Sequence, residues 1–253
     1  MAVQKTLKPA IYLFILGFAG VVSIAPLIPK LLALQPEPLP IPMAAIQALT
    51  ILQSSVLLFL MVWLGGICAN KVGLAAPVIA AIASSRNMVS ALKPQLIPAI
   101  IGGIAGGILI VIFSDALSPY LPPDFIRAGE KLTPPWYTKI LYGGITEEIL
   151  VRWGLMSFFV WGFYHLTQTK GTAIKTHNYL LAIIVSALVF GAGHLPTVLM
   201  LSPDISTSLI FYIVFANAVF GFIAGYLYWK YGLESAIGAH MIAHLTMLIN
   251  SGL

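Results

Sequence analysis

Charge is what this sequence has least of. Asp, Glu, Lys and Arg together make up 8% of its 253 residues, against about a quarter in an ordinary soluble domain. A surface so poor in charge cannot face water over most of its area, which excludes a soluble globular protein. Cysteine is nearly absent as well. Cys68 stands alone, which rules out an internal disulfide or a cysteine-rich metal site and reads as a small helix-packing residue. There is no HExxH run, so the usual zinc-protease helix is missing. No internal repeat is found either, and with it goes the inverted-repeat signature of many transporters.

Apolar residues are what is there in quantity: 59% of the chain, with a mean hydropathy of +0.97. Several runs approach or exceed the ~20 apolar residues that cross a bilayer. The expected fold is all-α, a polytopic transmembrane helical bundle. Seven spans can be placed, near 10–29, 44–68, 97–114, 136–163, 179–200, 208–229 and 234–250. The segment 74–92 is apolar but interrupted by Pro77 and Arg86, and reads as an interfacial or re-entrant helix. An eighth span there is the alternative. The chain divides into N-terminal helices with the interfacial segment (1–96) and a helical core that carries the chemistry (97–253). Lys5 and Lys8 before the first apolar run resemble a signal peptide, but the run continues through Pro26 to Ile28. A retained first helix is expected instead.

The net charge of +5 would suggest nucleic acid in a soluble protein. Here it sorts by membrane side. One side holds Lys5, Lys8, Lys71, Arg86, Lys93, Lys170, Lys175 and Lys230, opposed only by Glu234. The other mixes Glu37, Asp115, Asp124, Glu130 and Asp204 with Lys30, Arg127, Lys131 and Lys139. That asymmetry supports seven spans with the N-terminus in the cytoplasm, and a prokaryotic inner membrane is the expected location. The expected partners are the lipid bilayer and a membrane-associated protein or peptide, with no nucleic acid.

Prolines alternate from Pro36 to Pro42, which favours a stiff, extended connector. Gly102, Gly103, Gly106 and Gly107 form overlapping GxxxG patterns, and Gly221 and Gly225 repeat the spacing. Both read as places where helices approach closely.

Against this background, Glu147, Glu148, Arg152, His194, Asn217, His240 and His244 stand out deep inside predicted spans. Each charge at a bilayer centre costs about 2.5–3.5 kcal/mol on insertion scales. In an α-helix, Glu148 and Arg152 are i and i+4, on one face and in the favourable order. Glu147 lies roughly 100° around the helix. The spacing therefore predicts an orienting Glu148–Arg152 pair with Glu147 as the reactive carboxylate. A purely structural ion network joining helices is the competing reading. Phe190 and His194 are i and i+4, so the ring can restrict the imidazole, and Pro196 closes or kinks the helix. His240 and His244 share one helix face. Together these groups offer a base, imidazoles for orientation or oxyanion stabilisation, and a buried cation. They suit hydrolysis of a peptide bond within the membrane.

The islands EEILVR, FGAGH and HMIAH, in this order on late spans, resemble the CPBP family, which covers CAAX prenyl proteases and bacteriocin-processing (Abi) proteins. Its pattern is EExxxR, then FxxxH, then Hxxx followed by Asn or a hydrophobic residue. Glu147, Glu148 and Arg152 match the first motif, and Phe190 and His194 the second. His240 best matches the third, with His244 at the position often held by asparagine. That is a departure, since His244 donates only in a suitable tautomer or protonation state. An alternative register takes His244 as the motif histidine and Leu248 as the last position. The resemblance covers roughly residues 97–250. It implies glutamate-activated water, with histidines and asparagine stabilising the oxyanion, and substrates that include prenylated proteins. No cofactor is expected. A zinc ion would have to be held by residues from separate helices, and a metal-independent glutamate mechanism is favoured. A non-catalytic scaffold or immunity protein of the same family, and a proton- or ion-coupled transporter, are the alternatives.

Overall fold

The computed structural model describes residues 2–34, 40–169, 171–202 and 205–250. The Lys5 side chain and Glu37, Lys170 and Asp204, which entered the charge comparison, lie outside the described residues, as does most of the proline-alternating connector. Among the described residues the regular structure is helical, with no strand. In chain order the helices are α1 (Ala2–Ser23), α2 (Leu27–Leu32), α3 (Met43–Cys68), α4 (Pro77–Ala83), α5 (Met88–Leu117) and α6 (Pro123–Lys131). They continue with α7 (Trp136–Thr167), α8 (Thr176–Ala192), α9 (Leu195–Leu201), α10 (Thr207–Tyr231) and α11 (Leu233–Asn250).

Five stretches are long and apolar enough to cross a membrane: Met43–Val72, Met88–Tyr120, Trp136–Thr167, Thr176–Leu201 and Thr207–Tyr231. The other two predicted spans correspond to α1, whose apolar part is Leu7–Ser23, and to α11. The protein is an integral membrane helical bundle, and its outward faces fit lipid. Leu52, Ile97 and Ile101, for example, are 60%, 68% and 64% exposed.

No eighth span forms at 74–92. A seven-residue helix, α4, reaches only ~10 Å, and the chain then turns at Ser85, whose φ is +53°. Asn87 starts α5 by accepting bonds from the Val89 and Ser90 amides. α4 is held from α11: the Glu234 carboxylate accepts from the Ile79 amide at 2.9 Å and from Gln95 Nε2 at 3.4 Å. The division drawn at 96/97 falls inside the continuous helix α5.

α7 is the centre of the bundle. α1, α3, α11, α8 and α10 all pack along it. Three side chains of α7 fasten it to the N-terminal helices. Thr138 Oγ1 donates to the Ser23 carbonyl and Thr146 Oγ1 to the Gly17 carbonyl, both at 2.8 Å, and Trp153 Nε1 donates to Val62 O at 3.1 Å. Each of these three polar groups thus finds a partner on a neighbouring backbone, as a water-free interior requires.

The glycine patterns sit where helices close. A Cβ on Gly103 would come within 2.6 Å of the Ala239 carbonyl oxygen, and one on Gly107 within 2.9 Å of the Ala243 carbonyl oxygen, so this edge of α5 meets the α11 backbone. Gly102 and Gly106 face Leu227 and Phe220 of α10. A backbone carbonyl cannot move aside as a side chain can. Gly103→Val is therefore expected to cost about 1–3 kcal/mol by overpacking, read as a lower unfolding temperature in detergent. Gly66→Ala, where a Cβ would meet nothing within 4 Å, is the matched control.

Candidate active site

α7 departs from the α-helical geometry that the sequence spacing assumed. Lys139–Glu147 and Ile149–Met156 are π-helical, with Glu148 between them. π turns bond i to i+5 and are most often single-turn bulges at functional sites. Two long stretches in one span are therefore unusual. The wider turn brings positions i+4 and i+5 to either side of position i, so Arg152 faces the side of the helix that carries both glutamates. Hydrophobic periodicity carries no signal for this, which is why an α-helix was expected.

The Glu148–Arg152 pair forms nonetheless, and it is fully buried, with Arg152 Nε 3.3 Å from Glu148 Oε2. Arg152 also donates from Nη2 to the Gly221 carbonyl on α10 at 3.1 Å. Its guanidinium lies over the Phe190 ring of α8, 5.1 Å from the centroid. The close α8–α10 approach depends on Gly221, where a Cβ would fall 2.8 Å from Ala187 Cβ. One arginine thus ties three helices to a single carboxylate.

The other oxygen of that carboxylate, Glu148 Oε1, accepts from His240 Nδ1 at 2.8 Å. This bond assigns the Nδ1–H tautomer to the neutral ring and leaves Nε2 aimed at Glu147, 4.0 Å from Oε2. His194 is set in the same way. Its Nδ1 donates to the Phe190 carbonyl at 2.9 Å, and its Nε2 lies 3.9 Å from Glu147 Oε1. His194 sits at the break between α8 and α9, with Pro196 in the first turn of α9. Phe190 meets both imidazoles edge to face, and Phe220 packs 4.4 Å from the His240 ring centroid. Two imidazoles from different helices therefore converge on the one glutamate that Arg152 leaves free.

Distances of 3.9–4.0 Å are too long for direct hydrogen bonds and are of the size that a small molecule such as water bridges. Glu147 is 18% exposed while Glu148 is sealed from solvent, so of the two carboxylates Glu147 is the one that reaches the cavity. That cavity is open, with a volume of about 450 Å³, and Glu147, His194, Asn217, His240 and His244 all line it. Ile24, Leu27 and Ile28 wall it from the N-terminal helices. A smaller apolar chamber of about 220 Å³, between Phe125, Tyr212, Phe220 and Met247, meets it at Phe190, Asn217, His240 and His244.

His244 takes a different place from the other histidines. It stacks beneath His240 with ring centroids 4.8 Å apart, and its Nε2 is buried without a hydrogen-bond partner, facing Gly143. The Nδ1 bond to Glu148 and the approach to Glu147 both belong to His240. Among the described residues no group of three or more His, Cys, Asp or Glu is disposed to hold a metal ion.

Asn217 was recognised as a polar residue in a span but given no place in the site. The structure puts it in both chambers, its Nδ2 donating to the Ile213 carbonyl at 2.8 Å with the second amide hydrogen unused. Only the fold brings α10 to face His240, and nothing in the local sequence around Asn217 signals it.

The family model described as Type II CAAX prenyl endopeptidase Rce1-like matches residues 130–246. Residues 130–246 are thus similar to that family. The CAAX protease resemblance read from the three motifs is thereby shown, and all six of Glu147, Glu148, Arg152, His194, His240 and His244 fall in the Rce1-like region. No curated protein and no solved structure matches the chain.

Proposed function

We propose that the protein is an intramembrane endopeptidase in which Glu147 activates water against a peptide bond of a membrane-associated protein or peptide. The single observation that carries this reading is the convergence of His194 Nε2 and His240 Nε2 on the cavity-facing carboxylate of Glu147. A structural ion network would satisfy its members against one another. Here Glu148 and Arg152 do so, and Glu147 stands apart at the cavity.

In the proposed reaction Glu147 takes a proton from water as the water oxygen attacks the carbonyl carbon of the substrate. The tetrahedral oxyanion forms beside the imidazoles and the Asn217 amide. Its collapse breaks the C–N bond, and the proton held by Glu147 passes to the departing amine. Glu148 and Arg152 act through position: Glu148 fixes the His240 ring, and Arg152 pairs with Glu148 on the side away from the cavity. His194 and His240 donate from Nε2 only as imidazolium, whereas Asn217 is a neutral donor at any pH. It can serve in the role that the family pattern assigns to asparagine and that His244 does not match. Removing one oxyanion donor typically costs 10²–10³-fold. Asn217→Ala is accordingly expected to lower the turnover rate by about 10²-fold with KM little changed, measured on purified protein.

The substrate can be found by comparing the proteomes of membranes carrying wild type or Glu147→Gln. Peptides whose termini appear only with wild type name the substrate and show whether it is prenylated. Identical termini in the two membranes would end the endopeptidase reading and favour the scaffold alternative. The cytoplasmic N-terminus and the prokaryotic inner membrane stand as part of this proposal and rest on the loop charges.

A further inference from the structure

The cavity of Glu147 belongs to one half of the bundle. Successive spans run in opposite directions, so one face of the membrane collects the end of α1, the start of α3, the start of α7, the α8–α9 break and the start of α10. The cavity wall comes from that half. Ile24 and Leu31 follow α1, Thr50 and Ser54 lie in the first half of α3, and Glu147 lies in the first half of α7. His194 and Thr197 flank the α8–α9 break, Asn217 is in the first half of α10, and His240 and His244 are near the middle of α11. Among the described residues, the second halves of α3, α7 and α10 give the wall nothing. Trp136, 65% exposed at the start of α7, marks the interface on this face. Glu147 follows it by eleven residues, a depth on the order of 15 Å.

The other end of the bundle is closed by bonds between its helices and loops. The Ser235 amide donates to Gln95 Oε1 at 2.8 Å and the Leu233 amide to the Ala75 carbonyl at 3.0 Å. The Tyr179 hydroxyl donates to the Val72 carbonyl at 2.7 Å, and the buried Ser157 and Tyr228 hydroxyls share a bond of 2.8 Å. Charge separates the two faces as well. Among the described residues, the closed face carries Lys8, Lys71, Arg86, Lys93, Lys175 and Lys230, and its acid, Glu234, turns inward to the Ile79 amide. The cavity face sets Asp115, Asp124 and Glu130 against Lys30, Arg127, Lys131 and Lys139. Excess Lys and Arg mark the cytoplasmic side of a membrane protein.

We propose that the cavity is entered from the face opposite the cytoplasm, and that the substrate is the outward segment of an exported, membrane-attached polypeptide. This deepens the endopeptidase reading and rests on it. A cytoplasmic protein, prenylated or not, meets the closed end and would have to carry its peptide bond through the packed half of the bundle. An outward segment reaches Glu147 from the interface with about five extended residues, at ~3.3 Å each. The side of entry thus sets the substrate class before any side chain is read.

The test uses the full chain in a bacterial inner membrane, with Cys68→Ala so that only introduced cysteines react. Ser54→Cys reports on the cavity wall, Gly129→Cys in α6 on the cavity face, and Asn70→Cys on the opposite face. A membrane-impermeant cationic thiosulfonate is added to spheroplasts, which expose the outer face, or to inverted vesicles, which expose the cytoplasmic one. Ser54→Cys and Gly129→Cys are expected to react in spheroplasts and to lose that reaction in inverted vesicles, with Asn70→Cys doing the reverse. Exchange of the Gly129→Cys and Asn70→Cys patterns would overturn the orientation and the proposal with it. So would a Ser54→Cys that follows Asn70→Cys, that reacts from both faces, or that reacts from neither. Peptide termini that depend on Glu147 are expected in outward segments of exported polypeptides, and such termini in cytoplasmic proteins would overturn the substrate class. A complete lack of Glu147-dependent termini would end the endopeptidase reading, whereas the thiol pattern reports on the side of entry alone.

Discussion

Purified protein carrying Glu147→Gln is expected to lose cleavage by about 10²–10⁴-fold, the usual contribution of a positioned acid–base group, while its unfolding temperature stays at the wild-type value. Glutamine keeps the shape of the side chain and its oxygen, but it cannot take a proton from water. Its stability should hold because Glu147 makes no hydrogen bond that the fold depends on: its approaches to His194 and His240 are 3.9 and 4.0 Å. The paired measurement separates chemistry from folding. A Glu147→Gln protein that cleaves at the wild-type rate would remove the mechanism, and one that melts far below wild type would show a structural role instead. Glu148→Gln is the informative comparison. It weakens the bond to His240 and the pair with Arg152 together, so both readouts should fall.

The second large effect is on stability. Arg152→Met should destabilise the bundle by about 3–5 kcal/mol, the cost of removing one partner from a buried ion pair. Arg152 and Glu148 have no exposed side-chain surface, so the carboxylate left behind could not reach water. Three attachments go at once: the ion pair, the bond to the Gly221 carbonyl and the contact with the Phe190 face. Thermal unfolding in detergent and the amount of protein in membranes both report it. Adding Glu148→Gln to Arg152→Met removes the stranded charge and should recover part of the loss, a coupling that a double-mutant cycle measures. Wild-type stability in the single variant would show that the pair is dispensable to the fold.

The membrane bundle and its polar islands could be read directly from residue order. Scarcity of charge required lipid-facing helices, and Pro77 with Arg86 correctly argued against an eighth span. The pairing of Glu148 with Arg152 followed from their spacing. Other features were hidden because no local pattern encodes them. The π turns of α7 differ from α turns in backbone bonding while leaving the apolar pattern intact. The place of Asn217 depends on where α10 lies against α11.

The ties from Thr138, Thr146 and Trp153 to the carbonyls of Ser23, Gly17 and Val62 bear on how the molecule can be dissected. The stretch recognisable by ancestry starts at residue 130, yet the backbone that braces its first helix lies before residue 63. A fragment trimmed to the recognisable stretch would bare one flank of that helix and strip a wall from the cavity that Glu147 lines. Heredity and mechanical autonomy therefore draw different borders here, and any engineered or transplanted version must carry the unrecognised opening helices along with the chemistry.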